Sequence, residues 1–206
     1  DLPGIDGYIA QIWTGTARTE NTYQGARKER TFETAYLEYG VMQELVRGTD
    51  RRMWFLHDPI EDNPGHDWND YKSNYIRTLV ASLLHAGVWH YEVCPWPSRD
   101  FNGRYPNRSP DGITIPADYA TTLAIVFNQL RDMEQHAVAL DTRATEVGVF
   151  LSDSAMFQRA APALTANVAE DASDPLRATR LEIEDLTGFY GLTLPLIKRG
   201  IPVRPV

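Results

Sequence analysis

Residues 87–101 read Gly-Val-Trp-His-Tyr-Glu-Val-Cys-Pro-Trp-Pro-Ser-Arg-Asp-Phe. Side chains alternate along a β-strand, so Trp89 and Tyr91 are predicted to face covering helices, with an imidazole and a carboxylate on the opposite face. That opposite face comprises Val88, His90, Glu92 and Cys94. Pro95 and Pro97 end the strand, because proline cannot donate a hydrogen bond to a sheet. The stretch therefore predicts a polar site at the carboxyl end of a strand, where α/β folds keep their chemistry.

The segments on both sides of this strand alternate between strand and helix patterns. A strongly apolar helix, predicted over residues 68–85, precedes it, which is typical of a βαβ unit with both faces of the sheet covered. Further strands are predicted at 8–14, 52–58, 146–151 and 201–206, and further helices at 31–46, 116–133 and 181–198. In the strand at 52–58, Met53, Phe55 and His57 share one face. The first three strand–helix units predict an α/β fold with a parallel sheet.

The character of the sequence changes near residue 141, which divides the chain into residues 1–140 and 141–206. Glu146–Leu151 is a short apolar strand, and a helix separates it from the strand that starts at Ile201. Pro195 inside that helix predicts a kink or an early stop. Crossovers of this kind join parallel neighbours, so we predict that the two strands pair in parallel, in a sheet separate from that of residues 87–93.

The composition restricts partners and cofactors. The 206 residues are 43% hydrophobic and 23% charged, with a net charge of -8 and no basic cluster, so nucleic acid and membrane are poor partners. A single cysteine excludes an intrachain disulfide and a cysteine-rich zinc site. The sequence has neither a glycine-rich phosphate loop nor a His-x3-His spacing, so we predict no cofactor and no metal. The protein is predicted to be soluble, and both a cytoplasmic and a secreted location stay open.

Three segments, in this order, resemble a known family. They are Gly87-Val-Trp-His-Tyr-Glu-Val-Cys-Pro-Trp-Pro97, Val147-Gly-Val-Phe-Leu-Ser-Asp-Ser154 and Phe189-Tyr-Gly-Leu-Thr-Leu-Pro-Leu-Ile-Lys-Arg-Gly-Ile-Pro-Val203. The order resembles the C-terminal part of a clan-A, family-42-like β-galactosidase, in which a (β/α)8 barrel is followed by a flavodoxin-like, trimerisation-type domain. The resemblance implies that residues 1–140 are the last three βα units of such a barrel. It implies that residues 141–206 are the flavodoxin-like domain, incomplete.

The same resemblance implies that the chain is part of a larger enzyme. The Asn-Glu pair that the family carries at its fourth barrel strand has no counterpart here, because no Asn-Glu dipeptide occurs. An N-terminal barrel half would then be missing, and the start of the chain, which lacks Met and a signal-peptide pattern, is interpreted as that of a partial or processed product. The implied partners are a carbohydrate substrate and the missing barrel half, with room for a homo-oligomer.

Three carboxylates are candidates for catalysis: Glu92, Asp58 and Glu61. Glycoside hydrolysis uses two carboxyls, about 5–5.5 Å apart for retention and about 6.5–9.5 Å for inversion. Neighbouring strand ends provide such spacings, and the resemblance places the nucleophile at the end of the seventh barrel strand, at Asp58 or Glu61. The alternatives are that Glu92 is a structural polar group satisfied by a neighbouring strand, and that Asp62 and Asp67 cap the helix at Trp68.

Six side chains are predicted to contact a sugar: Trp13, Arg18, His57, His90, Trp96 and Arg99. Aromatic rings stack on sugar faces, and arginine and histidine donate hydrogen bonds to hydroxyl groups. The alternative for each tryptophan is core packing, and for each arginine a solvated ion pair. Trp96 lies between two prolines and therefore fits a strand core poorly, which makes it the better of the two tryptophan candidates.

Two classes of function remain open at this point. The first is a glycoside hydrolase, or the C-terminal part of one, that cleaves β-linked sugars with paired carboxylates. The second is a non-catalytic piece that binds carbohydrate or forms oligomers. A carboxyl pair at the spacing above would favour the first class. The sequence leaves open the sugar, its linkage and the stereochemical outcome.

Overall fold

A computed structural model of the protein describes residues 4–12, 17–18, 20–24, 26–60, 66–106, 110–135, 146–150 and 191–206. Its strands are β1 Gly7–Gln11, β2 Glu20–Tyr23, β3 Ala26–Glu29, β4 Arg52–His57, β5 His90–Val93, β6 Val147–Val149 and β7 Val203–Pro205. Its helices are α1 Thr31–Glu44, α2 Trp68–Leu83, α3 Pro97–Asn102, α4 Ala117–Gln135 and α5 Thr193–Ile197. The β2–β3 hairpin and the short helix α3 are elements that the sequence patterns did not predict.

Strands β1, β4 and β5 form one parallel sheet in chain order. Burial alternates along β4, with Met53, Phe55 and His57 buried and the residues between them partly exposed. The buried face packs on Tyr39 of α1 and Ala81 of α2. Both connecting helices therefore cover the same face of the sheet, and the molecule is an α/β protein with a parallel sheet, as predicted.

The opposite face of this sheet carries no helix in the described part of the chain. Ile9 of β1 is 61% exposed there. Trp54 and Leu56 of β4 are only partly buried, and the register places them beside His90 and Glu92 of β5. The expectation that both faces are covered is therefore not met among the described residues. We call this surface the open face.

Strands β6 and β7 pair in parallel in a sheet of their own, as predicted. This sheet packs on α1, where the Tyr36 hydroxyl donates to the Val203 carbonyl at 3.2 Å and Arg204 forms a two-bond ion pair with Glu44. Pro195 lies in the first turn of α5, where its missing N–H costs the helix no internal hydrogen bond. The division of the chain into domains at residue 141 stays a prediction, and the predicted helix over 181–198 lies largely outside the described residues.

Phe55→Ala is expected to lower the free energy of unfolding by about 3–5 kcal/mol, because it removes a fully buried ring. Phe55 has no exposed surface, and the centre of its ring lies 4.4 Å from the centre of the Tyr39 ring. Ile9→Ala on the open face is the matched control and is expected to cost less than about 1 kcal/mol. Urea denaturation of the chain measures both, and equal losses would mean that the open face is as buried as the helix-covered one.

Candidate functional site

The candidate site lies at the carboxyl end of the parallel sheet. Asp58 directly follows β4, and the turn after β5 is held to β4 by a hydrogen bond from the Cys94 N–H to the His57 carbonyl, at 3.1 Å. Cys94 then takes a φ of +54°, in the left-handed region that non-glycine residues seldom adopt. Such conformations cluster at functional sites, where the surrounding structure compensates for their strain. This turn brings the start of α3 back over the end of β4.

An ion pair joins the two strand ends. Asp58 is 3% exposed, and its Oδ2 accepts a hydrogen bond from Nη1 of Arg99 at 2.9 Å. The Ile60 N–H approaches the other carboxylate oxygen at 3.4 Å. The Arg99 guanidinium also lies 5.8 Å from the centre of the Trp96 ring, within the range of a cation–π interaction. Asp58 therefore holds a cation beside Trp96, an indole that is 53% exposed.

A second carboxyl, Asp100, lies under this turn. It is 1% exposed, and burial raises its pKa above the ordinary aspartate value, while a hydrogen bond from the Cys94 thiol lowers it and the charge of Asp58 raises it again. Burial likewise raises the pKa of the Cys94 thiol, and the hydrogen bond to Asp100 adds to that effect. The site thus contains two buried carboxyls in different surroundings, one paired with a guanidinium and one beside a thiol.

The open face carries both His90, at the start of β5, and Glu92, nearer its carboxyl end. His90 stacks on Trp54 with ring centres 4.9 Å apart. Glu92 is aligned with Leu56 of β4 and is partly exposed, and its carboxylate has no hydrogen-bond or ion-pair partner among the described residues. The structural alternative for Glu92, a partner on a neighbouring strand, is therefore not found in that part of the chain.

The predicted faces of this strand are confirmed for its central residues and wrong at its two ends. Tyr91 packs with the helix-facing rings of β4, and His90 and Glu92 share the other face. Val88 and Cys94 lie in the apolar clusters on the helix side instead. Val88 precedes the strand, and the left-handed backbone of Cys94 interrupts the alternation, so the pattern does not extend to either residue.

His57 is located in the core beneath the site. It is 2% exposed, its Nε2 lies 3.1 Å from the Ser82 hydroxyl, and its Nδ1 lies 3.4 Å from the Tyr75 hydroxyl. Burial lowers its pKa to about 3, so the ring is neutral at physiological pH. This position on the helix-facing side gives His57 a packing and hydrogen-bonding role, and the predicted contact with a sugar has no support from it.

Arg18 joins the connection after β1 to the first turn of α2. It is 8% exposed and forms ion pairs with Asp70 and, at 3.3 Å, with Glu29. Arg18 therefore forms an ion pair, as its alternative predicted, although the arginine is buried and not solvated. Asp67 caps α2 by accepting the Asp70 N–H at 2.9 Å, as its alternative reading predicted.

Two predicted site residues, Trp13 and Glu61, lie outside the described residues. Asp100 and Cys94 also belong to the site, although the sequence patterns placed them at this strand end without assigning either a catalytic or binding role. A carboxylate in a polar, proline-flanked loop carries no sequence signal of burial. The only available hint was that Asp100 follows Arg99 directly at a strand end.

Comparison with known proteins gives no relative. No family model, no curated protein and no solved structure matches the chain. Within the described ranges no cluster of three or more acidic, histidine or cysteine side chains is arranged to hold a metal ion. None of the helices described is long and apolar enough to cross a membrane.

Proposed function

We propose that this chain is the C-terminal part of a glycoside hydrolase that acts on β-linked sugars with paired carboxylates. The observation that carries the proposal is Glu92, a partly exposed carboxylate without a partner among the described residues, at the carboxyl end of a parallel strand. Strand carboxyl ends are where α/β enzymes place reacting groups.

The architecture supports a barrel origin for the sheet. Three parallel strands follow one another in chain order, and both connecting helices lie on one face, as in a (β/α)8 barrel. The open face combines apolar and polar side chains, and the exposure of Ile9 is the kind of surface that further strands would cover. In this proposal an N-terminal barrel half closes over the open face, and residues 141–206 form the flavodoxin-like unit.

The spacing of the two candidate carboxylates suits the chemistry. Glu92 is aligned with Leu56, and Asp58 comes two residues after Leu56, directly beyond the end of β4. A strand spacing of about 4.8 Å and a rise of about 3.3 Å per residue place the two Cα atoms roughly 8 Å apart. Carboxyl groups on such a pair of residues can reach the separations of either glycosidase mechanism, which lie between about 5 and 9.5 Å.

In this proposal one carboxyl moves a proton and the other stabilises or attacks the sugar carbon. Glu92 suits a reacting role because its side chain is partly exposed and free of partners in the described part of the chain. Asp58 provides the second negative charge and orients Arg99 toward the sugar hydroxyls. The Trp96 indole provides the apolar surface that a sugar ring needs at the entrance.

The test is hydrolysis and covalent trapping by the complete native polypeptide. Aryl β-galactoside, β-glucoside and β-xyloside are assayed for turnover, and the matching 2-deoxy-2-fluoro glycosides are used to trap a glycosyl-enzyme. A retaining enzyme gains the mass of one sugar at Glu92 or Asp58, located by peptide mapping. An inverting enzyme turns over without labelling, whereas an absence of both turnover and labelling contradicts catalysis.

The alternative is a non-catalytic carbohydrate-binding piece, and the exposed Trp96 beside Arg99 favours it independently of Glu92.

Trp96→Ala is expected to weaken lactose binding roughly tenfold, which corresponds to about 1.4 kcal/mol. Phe101→Ala, on the short helix that follows Trp96, is the control and is expected to leave binding unchanged. Titration followed by tryptophan fluorescence measures both, and equal affinities for Trp96→Ala and the parent would remove Trp96 from the site. Lactose binding without any turnover would select this alternative.

A further inference from the structure

Asp100 is a buried carboxyl that the proposed chemistry does not use. It is 1% exposed, and its Oδ2 has no hydrogen-bond partner among the described residues. A buried carboxylate oxygen without a partner is expensive, and a native structure that keeps one needs a reason. The protonated form of the carboxyl removes most of this cost, because it carries no charge.

Asp100 has one thiol, one cation, one carboxylate and two phenols around it. The groups that interact electrostatically with it are Asp58 after β4, Tyr75 of α2, Cys94 after β5, Arg99 of α3 and Tyr119 of α4. Arg99 pairs with Asp58 at 2.9 Å. An ionised Asp100 would add a second negative charge next to this pair and compete with Asp58 for the guanidinium.

The same contacts link Asp100 to the shape of the turn. The Cys94 thiol hydrogen-bonds to the carboxyl, and Cys94 is the residue with the left-handed backbone. The Asp100 N–H approaches the Trp96 carbonyl at 3.3 Å, so Asp100 also belongs to the helical turn that begins at the exposed indole. A change in the charge of Asp100 therefore acts on Cys94, Arg99 and Trp96 together.

We propose that Asp100 is a positioning residue of the sugar site: its protonated form leaves Arg99 paired with Asp58 and thereby keeps the turn at Cys94 and the Trp96 indole in place. The inference rests on the proposed function, because it assigns Arg99 and Trp96 to sugar recognition. Ionisation of Asp100 is then the event that loosens the site as the pH rises.

The sign of the effect on stability follows from proton linkage. Burial raises the pKa of Asp100 in the folded chain above the unfolded value of 3.8. The folded state therefore holds a proton that the unfolded state releases, and stability falls as the pH rises from 3.8 through the folded pKa.

Asp100→Asn keeps the shape of the neutral carboxyl and cannot ionise. Its melting temperature is expected to match the parent's near about pH 4 and to exceed it increasingly at higher pH. Asp132→Asn, an exposed aspartate of α4, is the control and is expected to follow the parent.

Lactose binding and carbon-13 NMR of the Asp100 carboxyl complete the experiment. In the parent, lactose affinity is expected to fall at least about fivefold as Asp100 ionises. The pH midpoint of this fall is expected to equal the midpoint of the NMR titration of the Asp100 carboxyl. The affinity of Asp100→Asn is expected to stay within about twofold over the same pH range. An ordinary aspartate midpoint, or an affinity that falls equally in Asp100→Asn, overturns the proposal. If Asp100→Asn fails to fold, the parent alone decides. Equal pH midpoints for lactose affinity and for the NMR titration of Asp100 support the proposal, and different midpoints overturn it.

The two proposals fail in different ways. If the parent binds no lactose at any pH and hydrolyses none of the three aryl β-glycosides, the proposed function is contradicted. The positioning role is then judged by the Trp96 emission without ligand, obtained as the difference between the parent and Trp96→Phe. A pH-dependent emission in the parent that Asp100→Asn abolishes supports the role, and an unchanged emission overturns it.

Discussion

Glu92→Gln in the complete polypeptide is expected to lower the turnover of an aryl β-galactoside by at least about a thousandfold, which corresponds to about 4 kcal/mol of transition-state stabilisation. Glutamine keeps the size of the side chain and removes its charge and basicity. Because Glu92 makes no hydrogen bond or ion pair with other described residues, the exchange breaks no contact there. The melting temperature is therefore expected to stay within about 2 °C of the parent's.

Glu146→Gln is the matched control for this experiment. Glu146 is an exposed glutamate just before β6, and its exchange removes the same charge from a position outside the strand-end site. Its turnover is expected to equal the parent's. A Glu92→Gln enzyme with near-parental turnover would make Glu92 structural, and Glu61 would then be the next carboxylate to exchange. A loss of about 1.5–3 kcal/mol instead of 4 would indicate a sugar contact.

Asp58→Asn is expected to lower both turnover and stability. Turnover is expected to fall by at least about a hundredfold, since a carboxylate that carries charge in the transition state is lost. Stability is expected to fall by about 1.5–3 kcal/mol, the range for a hydrogen bond to a charged group. The higher costs of fully buried ion pairs do not apply, because the Arg99 side chain is 24% exposed and water screens its charge.

A double-mutant cycle with Arg99→Met separates the two roles of Asp58. If Asp58 acts only by holding Arg99, Arg99→Met alone loses as much turnover as Asp58→Asn, and the double variant loses no more. If Asp58 reacts with the sugar, Asp58→Asn loses clearly more turnover than Arg99→Met. Equal stability losses in all three variants show that the ion pair itself is broken in each. Parental turnover in Asp58→Asn would exclude both roles.

The sequence by itself determined the parallel sheet and the positions of its strands. The apolar alternation at 52–57 and the apolar helix before residue 87 report burial directly, because each side chain must match the face on which it lies. The same alternation correctly assigned His90 and Glu92 to one face and Tyr91 to the other. The helix predicted between residues 147 and 203 also indicated that the strands at these positions pair in parallel, because such crossovers join parallel neighbours.

Only the tertiary structure decided which polar groups meet. Asp58 and Arg99 are 41 residues apart and join at 2.9 Å because two neighbouring strands end together. The burial of Asp100 depends on a left-handed turn at Cys94, a conformation that cysteine does not signal in a sequence. His57 and Arg18 looked like ligand contacts, yet neighbouring helices and loops supply partners for both. Side-chain periodicity records which face is buried. The partner of a charge depends on long-range contacts, which leave no periodic trace in the sequence.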